Sequence, residues 1–220
     1  MSRNLLRVAA CVSMLIDHVG FMFFPGAIVF RMIGRIAMPL FAFLLAEGCR
    51  KTNGFGKYCF RLWILAVISE VPFDLAFFGG WWYLGYQNVV IGLALAASAI
   101  FFFERMRKLG VTWVGYIGLI VAMVLGEISR ADYGGVLVCL VAVLYFCQDR
   151  TLQIIVVAVG GFLLNFSGWN LELSLCASFA AVLIIIYNGK RGSIPQWISY
   201  WFYPFHLVIL FSVRWIGVVI

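Results

Sequence analysis

The chain has 220 residues, of which 65% are hydrophobic and only 11% are charged, and its formal net charge is +7. A soluble domain of this size could not expose so much apolar surface to water without aggregating, so the composition excludes an ordinary soluble enzyme or binding module. A bilayer core about 30 Å thick is crossed by roughly 20 apolar residues in a helix. The composition therefore predicts an integral membrane protein.

Nine apolar segments, separated by short connections, use nearly the whole chain. We predict an all-α, polytopic transmembrane helix bundle that forms a single domain over residues 1–220, without internal repeats or linkers. In chain order the predicted spans are residues 5–24, 30–49, 60–78, 88–103, 111–128, 133–147, 152–166, 171–187 and 197–218.

The basic residues predict the orientation of these spans. With the N-terminus inside, the cytoplasmic positions collect 12 of the 16 Lys and Arg residues, and the connection GGWWYLGYQ on the other side carries none. The positive-inside rule then predicts an N-in, C-out topology. Because topology accounts for most of the positive charge, we expect the lipid bilayer to be a partner and nucleic acid not to be one.

The first span carries Asp17 and His18 in the middle of the run LLRVAACVSMLIDHVGFMFF. An ionisable residue at that depth costs a few kcal/mol and indicates a functional site by default. Neighbours on a helix point about 100° apart, so these two side chains do not face each other. Imidazole exchanges protons near neutral pH, and His18 therefore suits a general base, oriented either by Asp17 or by an acid of the third span.

The second and third spans carry two pairs of like charges, Arg31 with Arg35 and Glu70 with Asp74. Residues four apart share one face of a helix, and like charges there repel each other, so each pair is expected to meet the other. At about 1.5 Å per residue, both pairs lie at a depth similar to that of Asp17 and His18, in the outer half of the membrane. The cluster is either a structural ion network or an active site, and the presence of a histidine favours the active site.

Other polar side chains lie within or at the edge of the predicted spans. His206 lies in WFYPFHLVIL, after Pro204, and is either a helix–helix hydrogen-bonding residue or a second catalytic group. Asn88 opens the fourth span and either caps it or takes part in the site. Tyr133 and Tyr203 are further candidates for substrate binding.

The six cysteines show no CxxC spacing and no neighbouring histidine. Several of them fall toward the reducing cytoplasmic side, where disulfides are rare. We expect neither a disulfide framework nor a metal site, and we interpret the cysteines as small apolar residues of the bundle.

Six motifs follow one another along the chain: LIDHVG, GRIAMPLFAFLLAEG, ISEVPFDLAFF, QNV, DYGG and FYPFHLVIL. In this order they resemble the TraX family of conjugative pilin acetylases and related bacterial proteins, over essentially the whole chain. The family looks like a distant relative of the multi-span membrane acyltransferases of the acyltransferase-3 type. The resemblance implies a multi-pass protein of the bacterial inner (cytoplasmic) membrane, and by motif position it singles out Asp17, His18, Arg35, Asn88, Tyr133 and His206.

The function that the resemblance implies is transfer of an acetyl group from cytoplasmic acetyl-CoA to an amine or hydroxyl, on a pilin N-terminus or a cell-surface glycan. Catalysis is expected from His18 as base, with Asp17, and from His206 as a second acid or an acetyl carrier. Binding of the acceptor or of acetyl-CoA is expected from Arg31, Arg35, Glu70, Asp74, Asn88, Tyr133 and Tyr203. The basic segments 50–61 and 105–108 either contact the phosphates of CoA or only set the topology.

Two other functions remain open at this point. A small proton-coupled transporter could use Asp17, His18, Glu70 and Asp74 as a proton relay, although the chain has no inverted repeat of the kind that such proteins often contain. A non-catalytic membrane protein of pilus assembly is the third possibility.

Overall fold

The computed structural model describes residues 1–166, 170–190, 192 and 196–219. Every regular element in these ranges is an α-helix, which confirms the predicted all-α class. The helices are α1 (Arg3–Phe23), α2 (Ile28–Gly34), α3 (Ala37–Lys51), α4 (Phe55–Phe78), α5 (Val89–Lys108), α6 (Thr112–Ile128), α7 (Gly134–Phe146), α8 (Arg150–Phe166), α9 (Leu171–Ser178), α10 (Ala180–Ile185) and α11 (Gln196–Val219).

Membrane-type helices are present in the described part of the chain. By length and composition, Arg3–Phe23, Ile28–Lys51 and Val89–Lys108 are long and apolar enough to cross a bilayer, and several shorter helices are similarly apolar. Large apolar side chains also point outward, as on α6, where Trp113 is 66% exposed and Ile128 is 73% exposed. Such surface is stable in contact with lipid and unfavourable in water.

The second predicted span, residues 30–49, is interrupted in the structure. The helix ends at Gly34 and resumes at Ala37. Pro39 explains the break, because it has no N–H to donate to the carbonyl of Arg35 and its ring crowds that carbonyl. The hydroxyl of Ser13 on α1 donates to the carbonyl of Ile33 at 2.5 Å, which satisfies part of the helix end that the break leaves open.

The eighth predicted span, residues 171–187, is also divided, at Phe179 between α9 and α10. The amide of Phe179 donates to the carbonyl of Cys176 at 3.1 Å, three residues back, so the turn is tighter than an α-helix. The hydroxyl of Ser178 donates to its own helix, to the carbonyl of Ser174, and to the carbonyl of Ala158 on α8. Hydrogen bonds of this kind bend helices, which accounts for the division.

The chain separates into two compact units. The first comprises Met1–Phe41, Val71–Trp82 and the described residues from 154 onward. In it α1 packs against α2 and α11, and α2 packs against α9. Its buried apolar side chains include Leu6 and Leu207, both 0% exposed.

The second unit comprises Ala42–Glu70 and Tyr83–Gln153. Its helices α5, α6 and α7 pack against one another, and Ile100 and Leu137 are fully buried. Small residues allow these helices to approach closely. A Cβ atom at Gly115 of α6, for example, would lie 2.8 Å from a ring carbon of Phe103 on α5.

Candidate active site

Asp17 is the centre of an ion cluster in the first unit. Its Oδ2 lies 3.3 Å from Nη1 of Arg31, and Nη2 of Arg35 donates to both carboxylate oxygens at 3.3 and 3.2 Å. The side chains of Asp17 and Arg35 are 13% and 12% exposed, whereas that of Arg31 is 29% exposed. The arginines of the second predicted span therefore bind the acid of the first, a pairing that the sequence analysis did not assign.

The backbone of α2 and the sequence of α1 make this cluster possible. A Cβ atom at Gly34 would overlap the side chain of Asp17, so only glycine lets the carboxylate approach so closely. One turn further along α1, a Cβ atom at Gly20 would overlap the side chain of Phe30. Two glycines thus bring α1 and α2 into close contact along one face of α1.

Asn165 of α8 is a further partner of Arg35. Its Oδ1 accepts a hydrogen bond from Nη1 of Arg35 at 3.2 Å, and its Nδ2 donates to the carbonyl of Gly161 at 3.2 Å. The second bond fixes which end of the amide faces the guanidinium. The guanidinium of Arg35 is therefore held by α1 on one side and α8 on the other.

The two histidines of the chain contact each other directly. Nδ1 of His18 on α1 lies 2.8 Å from Nε2 of His206 on α11, although the residues are 188 positions apart in the sequence. The ring centroids are 5.0 Å apart and the ring planes differ by 10°. The hydrogen-bonding partner that the structure gives His18 is therefore His206, whereas we expected a carboxylate.

His206 is buried, with 4% exposure, and its other ring nitrogen is also engaged. Nδ1 of His206 lies 2.8 Å from the carbonyl oxygen of Phe202, one helical turn earlier on α11. The ring of Phe202 lies nearly parallel to that of His206, with centroids 4.9 Å apart, and Tyr203 meets the same imidazole edge-on at 5.6 Å. Tyr203, predicted to bind substrate, is itself 6% exposed.

Aromatic rings lie close to His18. The ring of Phe77 on α4 meets His18 edge-on, with centroids 5.1 Å apart. Phe77 also contacts Phe21, and the guanidinium carbon of Arg31 lies 5.0 Å from the centre of the Phe21 ring. Arg31 and His18 are thus connected through the packed rings of Phe21 and Phe77. Asp74 of the same unit is buried on α4, with 1% exposure.

Glu70 and Asn88 belong to the second unit and contact each other there. The Asn88 side chain accepts from the amide of Val90 at 2.9 Å, so it caps α5. Its amide nitrogen donates to the carbonyl of Ala66 at 2.9 Å and to the carboxylate of Glu70. Asn88 is fully buried, and these contacts give it a structural role in holding α4 and α5 together.

Tyr133 lies at the start of α7, in a junction with unusual backbone geometry. Its φ of 64° and that of Arg130, 53°, are in the left-handed region that non-glycine residues rarely adopt. The junction is held by backbone hydrogen bonds, from Gln87 to the carbonyl of Arg130 at 3.1 Å and from Asp132 to the carbonyl of Gln87 at 3.1 Å. Strain that the surrounding structure maintains is common at functional sites, which keeps Tyr133 a candidate.

Comparison with known proteins supports the resemblance seen in the motifs. The family model described as "TraX protein" matches residues 2–214. The chain belongs to the TraX family. Among curated TraX relatives, a probable fimbrial assembly protein FimC, serogroup H1, of Dichelobacter nodosus is 29% identical, with 97% of this chain and 98% of that protein covered.

Two further relatives are 26% identical to this TraX family member. Protein TraX of Escherichia coli is covered over 85% of its length by 94% of the chain. An uncharacterized protein of Rickettsia prowazekii is covered over 84% of its length by 90% of the chain. No solved structure gives a significant match.

The structure of this TraX family member brings together Asp17, His18, Arg31, Arg35, Tyr203 and His206 in the first unit. Sequence reasoning missed Asn165 and Phe202. Asn165 could have been suspected, since it is a polar residue in an apolar helix. Phe202 could not, because it acts through its backbone carbonyl. In the described ranges no three His, Cys, Asp or Glu side chains are grouped as metal ligands would be.

Proposed function

We propose that this TraX family member is a membrane-embedded acetyltransferase. It would move an acetyl group from cytoplasmic acetyl-CoA to an amine or hydroxyl on a pilin N-terminus or a cell-surface glycan. The observation that carries the proposal is that consecutive residues of α1, Asp17 and His18, hold a cation on one side of the helix and a histidine pair on another. Asp17 holds the guanidinium of Arg35, and the next residue presents an imidazole paired with a second histidine. A base and a cation at one site are the groups that acyl transfer requires.

The proposed reaction uses His18 as general base. The imidazole removes the proton of the acceptor amine or hydroxyl while that nitrogen or oxygen bonds to the thioester carbonyl carbon. The carbon–sulfur bond then breaks, and the proton on His18 returns to the departing sulfur. In this reaction acetyl-CoA is a substrate that supplies the activated acyl carbon, and nothing has to be oxidised or reduced.

Arg35, with Arg31, would stabilise the negative charge that develops on the carbonyl oxygen. The Asn165 amide and the Asp17 carboxylate fix the Arg35 guanidinium on two sides before substrate binds. Groups that are already oriented avoid the cost of reorganisation during the reaction, and one such donor is commonly worth about 100-fold to 1,000-fold in rate. The ion cluster thus supplies the positive charge that stabilises the carbonyl oxygen in the proposed mechanism.

The phosphates of CoA would be bound by exposed basic residues. Arg50, in the basic segment 50–61, donates to the carbonyls of Leu144 and Tyr145 and is used to hold the end of α7. Lys57, Arg105 and Lys108 are exposed, so we assign phosphate contacts to them.

We further propose that the chain crosses the bacterial inner membrane nine times, with the N-terminus inside and the C-terminus outside. The asymmetric distribution of Lys and Arg supports this topology. The fimbrial assembly name of the Dichelobacter nodosus relative supports a pilin as acceptor.

The test is acetyl transfer by purified protein in lipid nanodiscs, with radiolabelled acetyl-CoA and a peptide carrying a pilin-type N-terminus or a glycan as acceptor. We expect transfer, or slow thioester hydrolysis without acceptor, and we expect His18→Ala to abolish both. Ser212→Ala is the matched control, because this exposed hydroxyl of α11 donates to its own helix, at the Val208 carbonyl.

Two outcomes would contradict the proposal. Full activity of His18→Ala would eliminate the mechanism. Wild-type protein that neither binds acetyl-CoA nor transfers its acetyl group, but drives pH-dependent solute flux in vesicles, would identify a transporter instead.

A further inference from the structure

The hydrogen bonds of the two histidines determine where their protons lie. The carbonyl oxygen of Phe202 can only accept, so Nδ1 of His206, at 2.8 Å from it, must carry a hydrogen. A neutral imidazole has one N–H, and Nε2 of His206 is therefore an acceptor. Nδ1 of His18, 2.8 Å from that nitrogen, must then be the donor. Neutral His18 is left with a proton-free Nε2.

The ring geometry agrees with this assignment. The centroids of His18 and His206 are 5.0 Å apart, which is close to the largest separation that a 2.8 Å bond between the two ring nitrogens permits, and the ring planes differ by only 10°. The two rings thus lie nearly end to end in one plane, so the N–H of His18 points along the lone pair of His206. Phe202 packs parallel to the His206 ring at 4.9 Å and limits its rotation.

We propose that His206 is a positioning residue that fixes the tautomer of His18, so that Nε2 of His18 is the atom that removes the acceptor's proton. This inference rests on the proposed acetyltransferase function. When Nε2 takes up the proton, Nδ1 keeps its own proton and its hydrogen bond to His206, and the imidazolium is stabilised by that bond. The proton leaves again from Nε2 to the sulfur of CoA, which restores the starting tautomer.

The same geometry argues against two roles that the sequence suggested for His206, those of an acetyl carrier and of a second acid. An acetyl group on Nε2 of His206 would displace His18, and one on Nδ1 would displace the Phe202 carbonyl. A proton passed from His18 to His206 would reach a carbonyl oxygen that cannot carry it further. The row of hydrogen bonds from His18 through His206 therefore ends at the carbonyl of Phe202. Such a row cannot relay protons across the membrane.

The chain's histidine content makes the proposal directly measurable, since His18 and His206 are the only two histidines. Protein purified with a histidine-free tag and labelled selectively with 15N-histidine shows four ring nitrogens, whose protonation NMR reports. Two variants change His206 and leave His18 unchanged. In His206→Gln the amide oxygen can still accept from Nδ1 of His18, whereas His206→Phe keeps the packed ring but removes the acceptor.

We expect His18 to show a protonated Nδ1 and a bare Nε2 in the wild type and in His206→Gln, and to populate the Nε2–H tautomer in His206→Phe. A protonated Nε2 on neutral wild-type His18 would overturn the proposal. So would a His18 tautomer that is the same in His206→Phe as in the wild type.

Kinetics of acetyl transfer separate this inference from the proposed function. We expect His206→Phe to lower kcat on the order of 100-fold with little change in KM, and His206→Gln to restore most of the loss. Normal transfer with an unchanged His18 tautomer in His206→Phe would contradict the positioning role and leave the acetyltransferase standing. The predicted NMR pattern in a protein that does not transfer acetyl would contradict the acetyltransferase instead.

Discussion

Asp17 lies directly against the backbone of Gly34, in a space that a single additional carbon atom would fill. This contact is made where α2 ends, and it places the carboxylate within reach of the guanidinium groups of Arg31 and Arg35. The ion cluster thus depends on a residue that has no side chain.

Gly34→Ala should separate α1 from α2, because the new Cβ would overlap the carboxyl group and Cβ of Asp17. We expect a loss of about 1–3 kcal/mol in the free energy of unfolding, typical of overpacking, and reduced acetyl transfer. Thermal unfolding in detergent measures the first effect. Gly26→Ala is the matched control, since a Cβ there has nothing within 4 Å. Equal stability of the two variants would show that Asp17 moves aside at no cost.

Asp17 and Arg35 should be energetically coupled. Asp17→Asn removes the negative charge that pairs with Arg31 and Arg35, and it should lower the free energy of unfolding by about 3–5 kcal/mol. In a double-mutant cycle with Arg35→Gln, we expect a coupling energy of about 1–3 kcal/mol. The cycle is measured by unfolding of the wild type, the single variants and the double variant in one detergent.

Arg31 provides the comparison for that cycle. It makes one contact to Asp17 at 3.3 Å and is 29% exposed, whereas Arg35 makes two and is 12% exposed. Solvent weakens the more exposed pair, so the coupling of Asp17 with Arg31→Gln should be the smaller of the two. Coupling to Arg31 that equals or exceeds the coupling to Arg35 would contradict this arrangement.

Asn88 should tolerate serine better than aspartate. Serine and aspartate both retain the helix cap, whose loss costs about 1 kcal/mol. Aspartate, however, places a second carboxylate beside Glu70. We expect unfolding temperatures in the order wild type, Asn88→Ser, Asn88→Asp. Asn170→Ala is the control for loss of a cap alone, since Asn170 caps α9 through the amide of Leu173. A stable Asn88→Asp would show that the Glu70 contact is unimportant.

The proposed topology places the two ends of α5 on opposite sides of the membrane. Leu84, before this helix, and Leu109, after it, are each 71% exposed. With the native cysteines replaced, Leu84→Cys should react with an impermeant maleimide in intact spheroplasts, and Leu109→Cys only after permeabilisation. The reverse pattern would invert the orientation.

The sequence was sufficient to predict the all-α class and to select polar residues of the spans as candidates, but it did not show which side chains contact each other. Helical spacing shows that Arg31 and Arg35 share a face, and it does not show which neighbouring helix that face meets. The pairing of His18 with His206 joins residues 188 positions apart, and no local pattern reports such a contact. Contacts between residues far apart in the sequence depend on which helices pack together. The apolar composition of the spans does not specify that arrangement.

The break after Gly34 was missed although its cause is visible in the sequence. Continuous hydropathy over residues 30–49 favoured one helix. Pro39 removes a donor from the first turn of α3, and this local effect outweighs the hydropathy. Prolines at 72 and 204, by contrast, lie inside helices that continue past them.

Ser13, Asp17 and Gly20 all face α2 from one side of α1, while His18 faces α11. Rotating α1 by the angle of a single residue, about 100°, would remove the histidine and the carboxylate from their partners together. The contacts of the base and those of the two arginines therefore both depend on the rotation of α1 about its axis. Any substrate, lipid or mutation that changes the rotation of α1 acts on both halves of the site at once.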